Sequence, residues 1–262
     1  MAKSGTKFSA VIITYNEEVN IRRCLEALRQ VTDDIIVADS HSSDGTPDIV
    51  KRAGARLFSV DWQGYARTKN LANAEARYEW ILSVDADEVL SDELIDTLQQ
   101  WIAEADTVYA VDRLTNYCGT WIYHSGWYPE WKIRLFPRTS VNWQGDFVHE
   151  TLRVPEHYTI QRIQGRLLHY SYRSQEDHKA RIEKYARLWA SERFENGRGV
   201  PLLKRWFGPI ARWVTTYLLK QGWRDGRAGR LISYYESLMV RRRHEILDEL
   251  RKGEPPSTRA TP

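Results

Sequence analysis

Cysteine is nearly absent from this chain: Cys24 and Cys118 are the only two. No metal-type spacing joins them, and two thiols are too few for a disulfide framework, so a reduced compartment is expected. No stretch approaches the roughly 18 uninterrupted apolar residues of a membrane-spanning helix. The opening residues MAKSGTKFSA hold no apolar core of signal-peptide length. The expected location is therefore cytoplasmic. Two glycine motifs for phosphate are missing as well. No G-x-G-x-x-G follows the first strand-like run and no G-x-x-x-x-G-K-[ST] occurs, which disfavours Rossmann dinucleotide binding and P-loop hydrolysis. Internal repeats are also absent.

What is present is aromatic and unevenly charged. There are 11 Trp and 14 Tyr. The net charge of +3 conceals an asymmetry. Residues 1–110 carry 11 basic and 19 acidic side chains, whereas residues 198–252 carry 13 basic and 5 acidic ones. An acidic front can hold a cation, and a basic rear can face something anionic.

The first hundred residues alternate between two hydrophobic periods. FSAVIIT (8–14), DIIVAD (34–39), ARLFSV (55–60) and WILSVD (80–85) are short β-branched or apolar runs and read as buried strands. Between them lie helical patterns: EEVNIRRCLEALRQV, TPDIVKRAG with its early proline and terminal Gly54, and GYARTKNLANAEAR. SDELIDTLQQWIAEA follows, with Ser91 as N-cap. Strand and helix in regular alternation predict βαβ units and a parallel sheet. Ligands bind such sheets at the carboxyl ends of the strands. From 107 to 172 strands separated by loops rich in Gly, Trp and Pro are expected, and from about 174 the chain reads as helical. The predicted division is 1–172 and 173–262.

Three polar clusters fall at those strand ends. Asp85 and Asp87 flank one alanine, and alternate residues of an extended segment point the same way. Two carboxylates can then share an oxygen-loving ion, Mg²⁺ or Mn²⁺, together with substrate phosphates. They also suit a helix N-terminus, where acids meet the positive end of the macrodipole. Thr14, Tyr15, Asn16 and Glu17 close the first strand and could frame a flat ring. Asp39 closes the second and is placed to accept from a ribose or base edge, although DSHSSDGT is also ordinary turn chemistry.

In this order and spacing VIITYNEEVNIRRCL, DIIVADSHSSDGTPDI and WILSVDADEVLSDEL resemble the family-2, inverting glycosyltransferases of GT-A type. GWYPEWKIRLFPR, VHE and GRLLHYSY, followed by a basic helical tail, resemble the branch that adds a sugar to the lipopolysaccharide inner core. The resemblance implies a GT-A fold, α/β and Rossmann-like, with a mostly parallel sheet flanked by helices and a C-terminal helical extension. It implies a nucleotide-sugar donor, a UDP-hexose, with Asp39 at the uracil or ribose and Thr14, Asn16 and Glu17 nearby. Asp85 and Asp87 become the pair that grips a divalent cation on the diphosphate. Where relatives carry a Glu-Asp pair for the base, this chain has GDFVHE. Glu150 is the expected base and Asp146 the second choice; His149 is a candidate third metal ligand or a structural histidine. Arg134 is the arginine expected at the diphosphate or an anionic acceptor, and Lys69 and Asn70 are expected either to line the donor pocket or to lie beside the core.

LLKRWFGPIARWVTTYLLKQGWRDGRAGR interleaves cations with Trp, Phe and Tyr. Such a helix suits an anionic membrane surface, where a lipid-linked saccharide acceptor would be met; it also suits a helical cap with a solvated basic face. The expected setting is peripheral, on the inner face of the cytoplasmic membrane. A nucleotide-sugar pyrophosphorylase would want a Gly-rich, Lys-bearing loop after the first strand, and TYNEEVN is not one. A nucleic-acid binder would gain nothing from acids at three adjacent strand ends, so no nucleic-acid partner is expected.

Overall fold

The computed structural model describes residues 5–145 and 150–253. Asp146 and His149 lie outside the described residues. The chain divides into two compact units, 1–114 with 130–170 and 115–129 with 171–262.

The first unit is built on a mixed sheet flanked by helices. Its first four strands are β1 (Phe8–Thr14), β2 (Ile35–Asp39), β3 (Arg56–Ser59) and β4 (Trp80–Ser83), in spatial order β3-β2-β1-β4 and all parallel. Each parallel step is spanned by a helix: α1 (Ile21–Leu28), α2 (Thr46–Arg52) or α3 (Tyr65–Ala74). The expected parallel sheet is there, with boundaries drawn in by a few residues. Period-2 alternation sorts its core. Phe8, Ala10, Ile12 and Val37 pack with Ile21, Leu25 and Leu28 of α1 on one face. Val11, Ile36 and Ala38 pack with Ala66 and Ala72 of α3 on the other. Ile12 and Leu28 are completely buried; each such side chain contributes roughly 1.5–3 kcal/mol.

The sheet then turns antiparallel. Beyond β4 the order is β8 (Trp131–Pro137), β6 (Thr107–Tyr117), β11 (Thr159–Tyr172) and β5 (Glu88–Leu90), with β7 (Thr120–Trp121) on the end of β6. β9 (Asn142–Gln144) and β10 (Thr151–Arg153) form a separate ribbon. The short β5 leads into α4 (Asp92–Gln99), whose N-terminus is capped as predicted: Ser91 Oγ accepts from Leu94 N at 3.3 Å. It also accepts from Arg166 N at 2.9 Å, tying α4 to β11. Gly165 sits at this crossing with φ +95°, where an added Cβ would lie 2.3 Å from Leu94 N.

The second unit carries the helices α5 (Gln175–Glu195), α6 (Leu202–Val214) and α7 (Gly226–Arg251), with a π-helical turn at Thr215–Leu219. Ile182 packs with Ile232 and Tyr235, and Ala186 and Ala190 pack with Ile246 and Leu247. Asp225, just before α7, accepts from the amides of Tyr123 and His124 and from Ser125 Oγ, holding loop 119–130 to the helices. No helix among the described residues is long and apolar enough to cross a membrane.

Candidate active site

Parallel pairing puts Thr14 opposite Asp39 in register, so the first two polar clusters emerge side by side. Their loops interlock. Asn16 N donates to Ser42 Oγ and Ser43 N to Asn16 Oδ1, both at 2.8 Å. Glu17 N donates to Thr46 Oγ1, and Gly45 N to Glu18 Oε2, also at 2.8 Å. Asn16 adopts φ +54°, a conformation asparagine tolerates better than most residues. Asp39 is buried and accepts from Ser42 N at 2.9 Å and from Ser42 Oγ. Its carboxylate thus shapes the turn that follows it. Thr14 Oγ1 is buried with no hydrogen-bond partner among the described residues, and the Tyr15 ring is exposed. At Asp44 the carboxyl is held below its ordinary value: burial, the largest single effect, raises it, but the hydrogen bonds from Thr46 and Glu18 together outweigh it.

After β4 the backbone does not stay extended. Glu88 N donates to Asp85 O at 2.9 Å, closing a tight turn over Asp85-Ala86-Asp87. The two acids consequently meet different partners. Asp85 Oδ2 accepts from Arg134 Nη2 at 2.8 Å, and Asp85 Oδ1 lies 3.2 Å from Lys69 Nζ. Burial alone would raise the Asp85 carboxyl; the Arg134 guanidinium and Lys69 ammonium reverse this and hold it well below the usual carboxylate range. Asp87 Oδ2 lies 3.2 Å from His169 Nε2.

Glu88 organises this cluster. It is completely buried. Its Oε1 accepts from Arg134 Nη2 at 2.5 Å and from Arg113 Nη1 at 3.4 Å, and its Oε2 accepts from Asp85 N at 3.0 Å. Arg113 is in turn clamped bidentately by Glu130, at 2.9 Å on each branch. The buried side chains of Arg134 and Glu88 are therefore paired, as buried charges must be. Cys24, beside the turn with Sγ 3.8 Å from Asp85 O, is a packing residue. Burial, reinforced by Glu88, Asp87 and Asp85, pushes its thiol well up, away from the reactive thiolate.

Lys69 links the acids to Glu150. Its Nζ is 3.4 Å from Glu150 Oε1 and 4.4 Å from the centre of the Trp143 ring. Trp143 is fixed by Asn70, which donates to its carbonyl at 2.8 Å and accepts from its amide at 2.9 Å. Asn70 thus spends its side chain on β9. Lys69, Asp85, Arg134 and Glu150 form one connected group, while Asp39, Thr14 and Asn16 belong to the neighbouring pair of loops.

Arg113 and His169 are not marked by the sequence. Glu88 is one of the three acids, with Asp85 and Asp87, that close the fourth strand-like run, but nothing in the sequence assigns it a role. Nothing in GRLLHYSY ties His169 to Asp87. Their approach depends on β11 pairing with β5, which sets His169 opposite Glu88. Among the described residues no three His, Cys, Asp or Glu side chains converge as a ready-made metal cluster. The donors nearest one another are the Asp87 carboxylate and the His169 imidazole, 3.2 Å apart, while both oxygens of Asp85 face cations. A divalent ion there would be completed by substrate oxygens.

A parallel four-stranded half followed by antiparallel strands, with polar residues at the carboxyl ends of β1, β2 and β4, is the GT-A architecture. Along 97% of this chain and 78% of its own, the mannosyltransferase PcManGT of Pyrobaculum calidifontis, solved with GDP-Man and Mn²⁺, shares the fold at a TM-score of 0.51 and 16% identity. Residues 9–154 match the model of Glycosyl transferase family 2, and the chain belongs to that family. The lipopolysaccharide core biosynthesis glycosyltransferase LpsC of Rhizobium meliloti is 30% identical over 234 residues, 84% of each chain. An uncharacterized glycosyltransferase of Rickettsia typhi is 41% identical over 117 residues, 43% of this chain and 40% of its own length. The chain thus spans well under two thirds of that relative.

Proposed function

We propose that this family-2 chain is an inverting glycosyltransferase that moves a hexose, glucose from UDP-glucose, onto an inner-core heptose of a lipid-anchored saccharide. The observation that carries the reading is the connected group Lys69–Asp85–Arg134–Glu88 at the end of β4, next to the interlocked loops that hold Asp39. The acceptor class is supported by the similarity to LpsC along most of both chains.

In this reading the Asp39 and Thr14 loops receive the nucleoside, with Tyr15 and Glu17 beside it. Asp85 and Asp87, with His169, would hold Mg²⁺ or Mn²⁺, which neutralises charge growing on the diphosphate as the glycosidic bond breaks. Arg134 orients Asp85 and adds positive charge beside it. Glu150 takes the proton of the acceptor hydroxyl as that oxygen bonds to the anomeric carbon from the face opposite the departing UDP. Lys69 keeps the Glu150 carboxylate in place. The reaction takes place at the surface of an anionic membrane, where the lipid anchor of the acceptor resides. The division of labour is a catalytic part over 1–172 and a helical, acceptor- and membrane-facing part over 173–262.

The test is UDP release from a panel of nucleotide-sugars with Mg²⁺ or Mn²⁺ and with EDTA, followed by mass analysis of lipopolysaccharide from a strain lacking the chain. Metal-dependent UDP release from UDP-glucose and loss of one inner-core hexose support the proposal. Release from no nucleotide-sugar would overturn it, and an intact core would redirect the acceptor to another lipid-linked compound, such as a polyprenyl phosphate.

A further inference from the structure

An amphipathic helix on a globular protein ordinarily turns its apolar stripe inward. Helix α6 does the opposite. Leu203, Trp206, Phe207 and Ile210 recur at the i, i+3, i+4, i+7 spacing of a single helical face, and each is between 59 and 75% exposed. Leu202 at the start of the helix, and Leu218 and Leu219 in the π-helical turn beyond it, are exposed as well. No residue of α6 is buried.

The face that meets α7 is polar and small. Arg205 pairs with Asp248, and Arg212 with Glu236 at 2.6 Å. Between them Gly208 faces α7, and an added Cβ would lie 3.4 Å from Val240 Cγ1, an ordinary van der Waals contact. Positions 205, 208 and 212 share one side of the helix, at spacings i, i+3 and i+7. The ion-paired side of α6 therefore faces α7, and that roll leaves the large apolar side chains in water.

The charges around the stripe indicate what covers it. Lys204 lies in the first turn of α6, Lys220 follows Leu219, and Arg224 follows the exposed Trp223. All three are exposed, with no acidic partner among the described residues. Between residues 198 and 235 there is one acid, Asp225, and its side chain is only 3% exposed. A two-fold contact between copies would set this cationic patch against itself. An anionic lipid surface complements it, and Trp beside Lys and Arg is the composition of helices lying in the headgroup region.

We propose that α6 and the π-helical turn after it are the bilayer-binding element. Leu203, Trp206, Phe207 and Ile210 enter the boundary between headgroups and acyl chains, and Lys204, Lys220 and Arg224 meet lipid phosphates. This deepens the membrane-surface part of the proposed function and rests on it for its biological setting.

The experiment is co-sedimentation of the full chain with vesicles of phosphatidylglycerol and phosphatidylcholine, or of phosphatidylcholine alone, at low and high salt. The chain should bind the anionic vesicles, and less so as salt rises. The combined variant Leu203→Ser, Trp206→Ser, Phe207→Ser, Ile210→Ser should bind about tenfold or more weakly, since interfacial binding scales with buried apolar area. The variant Lys204→Gln, Lys220→Gln, Arg224→Gln should lose the preference for anionic vesicles. Circular dichroism checks that both variants fold. UDP release from the donor without vesicles, followed in parallel, reports on the transferase reading alone and should be unchanged in both. Equal binding by the serine variant and the native chain, or no binding by the native chain, overturns the proposal. A dimer in sedimentation velocity that the serine variant abolishes would also overturn it, by assigning the stripe to a second copy.

Discussion

His169 Nε2 stands 3.2 Å from Asp87 Oδ2 because β11 runs antiparallel to β5 and brings a late strand back onto the acidic turn. If the pair forms part of a metal site, Asp87→Asn should lower kcat by about 10²–10³, the scale of losing one key electrostatic group in a transition state. His169→Ala should raise the Mn²⁺ concentration needed for half-maximal UDP release while leaving the melting temperature within a few degrees. Full activity of Asp87→Asn in EDTA would remove the metal from the mechanism.

The buried carboxylate of Glu88 faces two arginines, at 2.5 and 3.4 Å. Glu88→Gln keeps the shape and removes the charge. Stability should fall by about 1–3 kcal/mol, the cost of weakening a buried charged hydrogen bond, because Arg134 keeps Asp85 and Arg113 keeps Glu130. The urea midpoint, at unchanged m-value, is the measurement. A shift within experimental error would mean that Asp85 alone satisfies Arg134.

Glu150 shares Lys69 with Asp85. Glu150→Gln should lower kcat strongly and leave the affinity for UDP-glucose nearly intact, because a base acts on the acceptor. Steady-state kinetics with isothermal titration of UDP separate the two effects. If Asp146→Asn abolishes turnover and Glu150→Gln does not, the base is Asp146.

His178 is buried, with Nδ1 3.1 Å from the Tyr117 hydroxyl, and burial pushes its imidazole from 6.5 down to about 4. Above pH 6.5 both the folded and unfolded chains hold it neutral, and it adds no pH dependence. As pH falls from 6.5 toward about 4, only the unfolded chain takes up the proton. Stability is therefore lost through that window, by up to about 3 kcal/mol at roughly 1.4 kcal/mol per pKa unit. Urea midpoints at several pH values should show the slope, and His178→Gln should flatten it. An equal slope in the variant would place the titration elsewhere.

The sequence by itself determined the parallel half of the fold and the family. Short β-branched runs alternating with capped helical segments have few ways to bury their apolar faces, so β1 to β4 could be anticipated from period alone. The positions of Thr14, Asp39 and Asp85 at strand ends followed from the same pattern, as did the cap at Ser91. Tertiary structure decided what period does not encode. Residues 115–129 join the helices of the second unit, since Asp225 collects the amides of that loop across a hundred residues of chain. The turn at Asp85–Glu88 sends Asp85 to Arg134 and Asp87 to His169. These contacts arise from strand pairing between distant segments, and no local propensity records which partner a strand will choose. The outward roll of α6 was likewise undetermined. Its alternation of cations and aromatics is legible in the sequence, but only the ion pairs of Arg205 and Arg212 with α7 decide which side meets water.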